Sequence, residues 1–164
     1  MRAMEESELL KYLDLGEDQD IEFKLAAGGF PNDAWRTISA FANMGGGYLV
    51  LGVGETNGKF EIKGVDRPEK LMKVFWDSHN NGQKLNTPLC NQSDIAVKDI
   101  SGLKVVIIHV PSASRLQRPV FINGNPFTGT YKRNYEGDYR CTESEVRQML
   151  RDAGDEPQDA LIIE

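Results

Sequence analysis

The chain contains little cysteine and little histidine. Its 164 residues include two cysteines, Cys90 and Cys141, and two histidines, with no Cys-x-x-Cys or Cys/His spacing. This composition gives no support to a zinc site, and two distant cysteines are typical of a reducing compartment. No apolar run approaches membrane-spanning length, and the first residues hold no secretory core. We therefore predict a soluble, cytoplasmic protein with no membrane partner.

The chain also lacks the glycine motifs that bind nucleotide phosphates. The run of three glycines at 45–47 follows a predicted helix, whereas a phosphate cradle needs glycines that precede one. No Gly-Lys-Ser or Gly-Lys-Thr follows it, and no Gly-x-Gly-x-x-Gly opens a helix. The three glycines therefore fit the end of a helix, and the chain carries no ATP-binding motif.

The residues on either side of these glycines predict the centre of the fold. Apolar residues recur at helical spacing between positions 33 and 44, which predicts an amphipathic helix. The run over 48–53 is almost wholly apolar, which is typical of a central strand covered on both faces. We expect Leu49 and Leu51 to lie inside the protein.

Turn and capping signals predict the outer elements. Asn57-Gly58 and Ser101-Gly102 each predict an antiparallel hairpin. Thr142 and Glu145 predict a capping box that opens a last helix. A chain of this length favours one domain. The expected fold is a single α+β domain with a mixed β-sheet and flanking helices.

Two more helices are expected, over 5–15 and 67–80. Asp66 and Glu69 predict a capping box at the start of the second helix. His79 lies near its end, where we expect a surface position.

An acidic stretch at 17–24 offers the first candidate site. Ile21 and Phe23 alternate with charged residues, so a short strand would turn the apolar pair inward and line the charges along its other face. A charged strand face is commonly just solvated. The alternative is a site for magnesium or manganese, since clustered carboxylates bind these ions and the ions activate water.

Basic residues supply the second candidate site. The net charge is −6, but residues 101–151 carry eight Lys or Arg against four Asp or Glu, so a local positive patch is expected. Basic and aromatic residues interleave at 130–135, a pattern that fits either phosphate contact with base stacking or an edge strand protected by charge. The candidate nucleic-acid-binding residues are Arg115, Arg118, Lys132, Arg133 and Arg140, with Arg147 and Arg151 as additions.

Three stretches together resemble the Schlafen AlbA_2 domain. They are Glu-x-x-x-x-Glu-Phe-Lys over 17–24, Ile-Ser-Ala-Phe-Ala-Asn-x-Gly-Gly-Gly-x-Leu-x-x-Gly-Val over 38–53, and the segment 118–142 that begins Arg-Pro-Val. Gly-Thr-Tyr-Lys-Arg and Gly-Asp-Tyr-Arg within the last segment are similar to the bacterial branch. That branch is found at the N-terminus of transcriptional regulators that continue into an ATP-binding domain, and the family is described as DNA-binding.

The resemblance also implies an enzymatic alternative. Schlafen proteins of a nuclease branch cut structured RNA with three carboxylates, and Glu17 and Glu22 match the first two by motif position. The third is an aspartate just after the Gly-Val strand end, where this chain has Glu55. The extra methylene weakens this interpretation, because metal geometry tolerates little misplacement.

The sequence therefore supports three hypotheses. The first is a nucleic-acid-binding module, for DNA in particular, of a bacterial transcriptional regulator. The second is a metal-dependent endoribonuclease that uses Glu17, Glu22 and Glu55 with magnesium or manganese. The third is a protein-interaction or assembly domain. We expect the family-like domain to cover 5–152, and residues 153–164 to be an acidic linker or the start of a truncated following region. Expected partners are nucleic acid, further domains of a longer protein, and a second copy of the chain.

Overall fold

The computed structural model describes residues 4–163, with side chains described for 4–154. The helices are α1 Glu6–Leu15, α2 Ala34–Asn43, α3 Pro68–Asn80, α4 Pro126–Gly129 and α5 Glu143–Ile163. The strands are β1 Ile21–Lys24, β2 Gly47–Leu51, β3 Val53–Thr56, β4 Lys59–Ile62, β5 Ile95–Ile100, β6 Leu103–Val110, β7 Tyr131–Asn134 and β8 Gly137–Arg140. No helix of the described part is long and apolar enough to cross a membrane.

A four-stranded mixed sheet forms the centre of the domain. Its order is β1-β2-β6-β5, with β1 parallel to β2 and the other neighbours antiparallel. Leu49 and Leu51 on β2 are fully buried, as their apolar run predicts. The predicted α+β fold, with β2 as an inner strand and helices packed around the sheet, is confirmed.

Each face of the sheet carries its own apolar cluster. On one face, Ile38 and Phe41 of α2 and Phe75 of α3 pack with Leu49. On the other face, Leu9 of α1 packs in a second cluster with Ile21, Phe23, Val50, Val53, Val105 and Ile107. Because the helices turn apolar stripes toward the sheet and β2 is apolar on both faces, the sheet lies between two packed layers.

The strand predicted over 48–53 is interrupted, and the interruption shapes the site. β2 ends at Leu51, and Gly52 has a φ of +103°, which L side chains rarely adopt. Its N–H donates to Lys24 O at 2.8 Å, and its carbonyl accepts from Lys63 N at 2.7 Å. The chain therefore leaves the main sheet, and β3 pairs with β4 as a separate antiparallel hairpin.

Two expectations around α3 are wrong. The helix begins at Pro68, so Arg67 is the N-cap and no Asp66–Glu69 capping box forms. His79 is buried because the following loop folds back over it: its Nε2 accepts from Leu89 N at 2.9 Å and from Cys90 N. Burial lowers the pKa of His79, so this histidine is a neutral structural group.

The last helix starts as expected. Thr142 Oγ1 accepts from Glu145 N at 3.1 Å, and Glu145 Oε1 accepts from Thr142 N at 2.8 Å, which completes the capping box. Its backbone continues to Ile163, through the stretch predicted as a linker.

Candidate functional site

The predicted carboxylates lie around one open cleft of about 370 Å³, which we call the carboxylate cleft. Glu17 comes from the turn before β1, Glu22 from β1, and Glu55 from β3. The turn at Gly52 directs β3 past the end of β1, which brings these segments together. Lys24 and Asp33 line the same cleft.

The surroundings of Glu17 shift the pKa of its carboxyl group. Burial is the main reason that its pKa is raised to about 7, and the charge of Glu22 adds to the effect. The Phe23 N–H donates to Glu17 Oε2 at 2.8 Å, which opposes the rise, and Glu22 shares a side-chain hydrogen bond with Glu17. Near neutral pH Glu17 therefore retains its proton part of the time.

Glu22 already has cationic partners. Its Oε1 accepts from Arg133 Nη1 at 2.8 Å, and its Oε2 lies 3.4 Å from Lys24 Nζ. Lys24 Nζ also lies 3.3 Å from Asp33 Oδ2. Both oxygens of Glu22 are thus engaged in ion pairs within the protein.

This arrangement does not fit a three-carboxylate metal site. Over the part of the chain that the structure describes, no group of three His, Cys, Asp or Glu side chains is placed to hold a metal ion. A divalent cation would compete with Arg133 and Lys24 for Glu22, and Glu17 has a raised pKa. Glu55 lies exposed at the edge of the cleft.

Arg133 does not belong to a binding surface, and its prediction as a nucleic-acid contact is wrong. The residue is 1% exposed. Its guanidinium donates to Asp18 O at 2.7 Å, to Ile21 O at 2.9 Å and to Asp138 Oδ1 at 2.8 Å, in addition to Glu22. Strand alternation explains this placement, because Arg133 and Asp138 are direct partners on the inward face of the β7–β8 hairpin.

The opposite face of that hairpin is open. Lys132 pairs in register with Tyr139, and Tyr139 is 54% exposed while Tyr135 at the turn is 79% exposed. Arg140 is also exposed, at the end of β8. We call Lys132, Tyr135, Tyr139 and Arg140 the hairpin surface. Lys132 Nζ lies 2.8 Å from Glu145 Oε2, a partly exposed ion pair that raises the pKa of Lys132 and lowers that of Glu145.

The other predicted cations lie on different elements. Arg118 Nη2 donates to Met44 O at 2.9 Å and to Ser112 Oγ at 2.8 Å, so it anchors its loop to the end of α2. Arg115 is exposed in the same loop. Arg147 on α5 pairs with Glu143, and Arg151 is exposed further along that helix.

Sequence reasoning missed two participants. Asp138 accepts from Thr37 Oγ1 at 2.5 Å as well as from Arg133, and Tyr139 is the exposed aromatic residue beside Lys132. The register of the β7–β8 hairpin was the available signal. A two-residue turn at 135–136 makes Arg133 and Asp138 partners and assigns Lys132 and Tyr139 to the opposite face.

Comparison with known proteins places the chain in a family. It matches no curated protein sequence. It is similar to the N-terminal domain of a Nitrosomonas europaea protein described as related to the ATP-dependent DNA helicase RecG, with 26% identity and a TM-score of 0.63 over 85% of this chain and 95% of that one.

A second solved structure shares the fold alone. The DIP2311 protein from Corynebacterium diphtheriae is 19% identical with a TM-score of 0.53, over 81% of this chain and 24% of that one. The family model described as "Schlafen, AlbA_2" matches residues 17–142. That range includes the carboxylate cleft and the β7–β8 hairpin, and the chain belongs to the Schlafen AlbA_2 family.

Proposed function

We propose that this domain binds nucleic acid through the hairpin surface. The observation that carries the proposal is the pair of exposed tyrosines, Tyr135 and Tyr139, beside the cations Lys132 and Arg140. Cations contact phosphates, and aromatic rings stack on bases for about 1–3 kcal/mol per base. A similar domain stands at the N-terminus of a protein related to a DNA helicase, which supports a nucleic-acid ligand.

The ion pair between Lys132 and Glu145 does not prevent such contact. The pair is partly open to solvent, and ion pairs at a protein surface contribute only about 0–1 kcal/mol, so a phosphate can replace the carboxylate as the partner of Lys132. Glu145 also keeps its hydrogen bond from Thr142 N when Lys132 turns to a phosphate. Lys132 is therefore able to contact a phosphate at the hairpin surface.

The finer proposal concerns the longer protein. We propose that this domain is the DNA-binding module of a bacterial, cytoplasmic transcriptional regulator that also carries an ATP-binding domain. Support comes from the motif resemblance and from the N-terminal position of the similar domain in the RecG-related protein. Because the chain is acidic overall, we expect modest affinity that depends strongly on salt.

The test is a titration of the domain on duplex DNA, single-stranded DNA and structured RNA at several salt concentrations. The double variant Lys132→Ala, Arg140→Ala should weaken binding on all sequences alike and flatten the logarithmic salt slope by about two. A matched control is Lys63→Ala, Lys73→Ala, which removes two exposed lysines from other elements. Equal slopes for the two double variants would refute binding at the hairpin surface and favour the interaction-domain hypothesis.

The ribonuclease hypothesis needs a test of its own, because three carboxylates line one cleft although the ion pairs of Glu22 oppose a metal ion there. Glu22→Ala is a poor test, because it also removes one of the two carboxylate partners of buried Arg133. Glu55→Gln is better, since Glu55 is exposed, and Glu61→Gln on the same hairpin is the control. Manganese-dependent cleavage of structured RNA that is lost only in Glu55→Gln would establish the enzyme.

A further inference from the structure

A cavity of about 510 Å³ lies between the 26–30 loop and the start of α3, and it shares no lining residue with the carboxylate cleft or the hairpin surface. Buried Ala26, Val65 and Leu71 contribute its apolar floor. Phe30 lines the cavity and packs against Trp35, with ring centroids 5.1 Å apart. A flat apolar group entering here would meet an already packed aromatic cluster, which favours a preformed site.

Two exposed cations stand at the rim. Arg67 and Lys70 are exposed and line the cavity, and among residues 4–154 neither makes a side-chain hydrogen bond or ion pair. Lys73, one turn along on α3, differs because it pairs with Asp77 at 3.0 Å. The positive rim is therefore available to an anion from outside.

The rest of the rim adds a hydrogen-bond acceptor and leaves the mouth open. Asp66 lines the cavity with its carboxylate exposed and makes no side-chain bond within the described part of the chain. Gly28 and Gly29 face it from the loop, and no heavy atom lies within 4 Å of the place where a Cβ would stand on either. The site thus combines an apolar floor, two cations and one acceptor.

We propose that this cavity binds a nucleoside 5′-monophosphate unit. The base lies against Phe30 and Leu71, the phosphate meets Arg67 and Lys70, and Asp66 accepts from the ribose hydroxyls or from the amino group of the base. The volume falls in the range of about 300–1,000 Å³ typical of small-ligand pockets. The unit is either a free nucleotide or the end of a single strand, and the site does not depend on binding at the hairpin surface.

In the first experiment, AMP, adenosine and inorganic phosphate are each titrated into the domain. Binding is measured from the amide chemical shifts of residues 26–30 and 65–71. AMP should bind saturably and more tightly than adenosine or phosphate alone. The variant Arg67→Gln, Lys70→Gln should weaken AMP at least tenfold and leave adenosine unchanged, because only the phosphate contacts are lost. Lys73→Gln is the matched control on α3 and should bind AMP like the unaltered domain.

A second variant separates the cavity from its charges. Val74 lines the cavity and is 45% exposed, so Val74→Trp should block the mouth without disturbing the core and should abolish binding of both AMP and adenosine. A short 5′-phosphorylated single strand that binds more tightly than AMP identifies a strand end as the ligand, and equal affinity identifies the free nucleotide. Phosphate binding as tight as AMP, or AMP binding unchanged in either variant, would overturn the proposal.

Discussion

Arg133 shows how one side chain ties the two candidate surfaces together. It reaches from β7 to the backbone of the 18–21 turn and to Glu22 on β1, with its guanidinium 5.0 Å from the ring centre of Phe41. A buried cation is tolerated only where its donors are satisfied, and here carbonyl and carboxylate oxygens satisfy them. Arg133, which the interleaved basic and aromatic residues at 130–135 suggested as a phosphate contact, is therefore a structural anchor of the hairpin.

We expect Arg133→Met to lower the free energy of unfolding by about 3–5 kcal/mol, because it removes the buried guanidinium that the half-buried Glu22 and Asp138 share. Arg140→Met, at an exposed position two strand residues from Asp138, should change it by about 0.5 kcal/mol or less. Urea unfolding at neutral pH measures both. Equal stability of the two variants would contradict the buried network.

Glu17 gives a prediction on pH. Its pKa is raised from the ordinary 4.5 to about 7 in the folded state, so the folded protein binds more protons than the unfolded chain between these values. Its contribution to stability is therefore fully present below about pH 4.5 and is lost as the pH rises through about 7. Glu17→Gln, which cannot ionise, should flatten the fall in stability between pH 5 and pH 8, measured by urea unfolding. Glu61→Gln on exposed β4 should retain the fall of the unaltered protein.

At the scale of elements, local signals predicted most of the fold. Helical spacing located α2, the apolar run located β2, and the turn pairs Asn57-Gly58 and Ser101-Gly102 located two hairpins. Two features were set by contacts remote in sequence and could not be predicted. One is the break at Gly52, held by Lys24 and Lys63, and the other is the burial of His79 beneath the 89–90 backbone.

The break at Gly52 can be tested by adding one methyl group. Its φ is +103°, and a Cβ there would lie 3.0 Å from Val65 Cγ2 and 3.2 Å from Gly64 C. Gly52→Ala should therefore destabilise the protein by about 1–3 kcal/mol. Gly28→Ala has open space and no positive φ, so its stability should match that of the unaltered protein. Thermal unfolding compares them, and no loss in Gly52→Ala would contradict the turn that forms the carboxylate cleft.

At the scale of the molecule, opposite charges lie on neighbouring surfaces. The carboxylate cleft is negative and the hairpin surface is positive, and Arg133 joins the elements that bear them. The acidic stretch, the basic stretch and the resemblance to one family could all be predicted from the sequence. Which cations reach solvent depended on strand register and tertiary burial, so Arg133 was misassigned while Arg140 is exposed.

This arrangement predicts that affinity for nucleic acid rises as the pH falls from 8 to 6. Protonation of Glu17 removes negative charge from the carboxylate cleft, and a phosphate backbone at the hairpin surface is repelled less. His79 is not expected to cause the change, since burial lowers its pKa.

The measurement is a binding titration at pH 6, 7 and 8 at low ionic strength, where the Debye length is about 30 Å at 0.01 M salt and about 10 Å at 0.1 M. Glu17→Gln should bind at pH 8 as the unaltered domain does at pH 6, and raising the salt should reduce the difference. A pH dependence that persists in Glu17→Gln would assign it to another group. It would also show that the carboxylate cleft does not act on ligands at the hairpin surface.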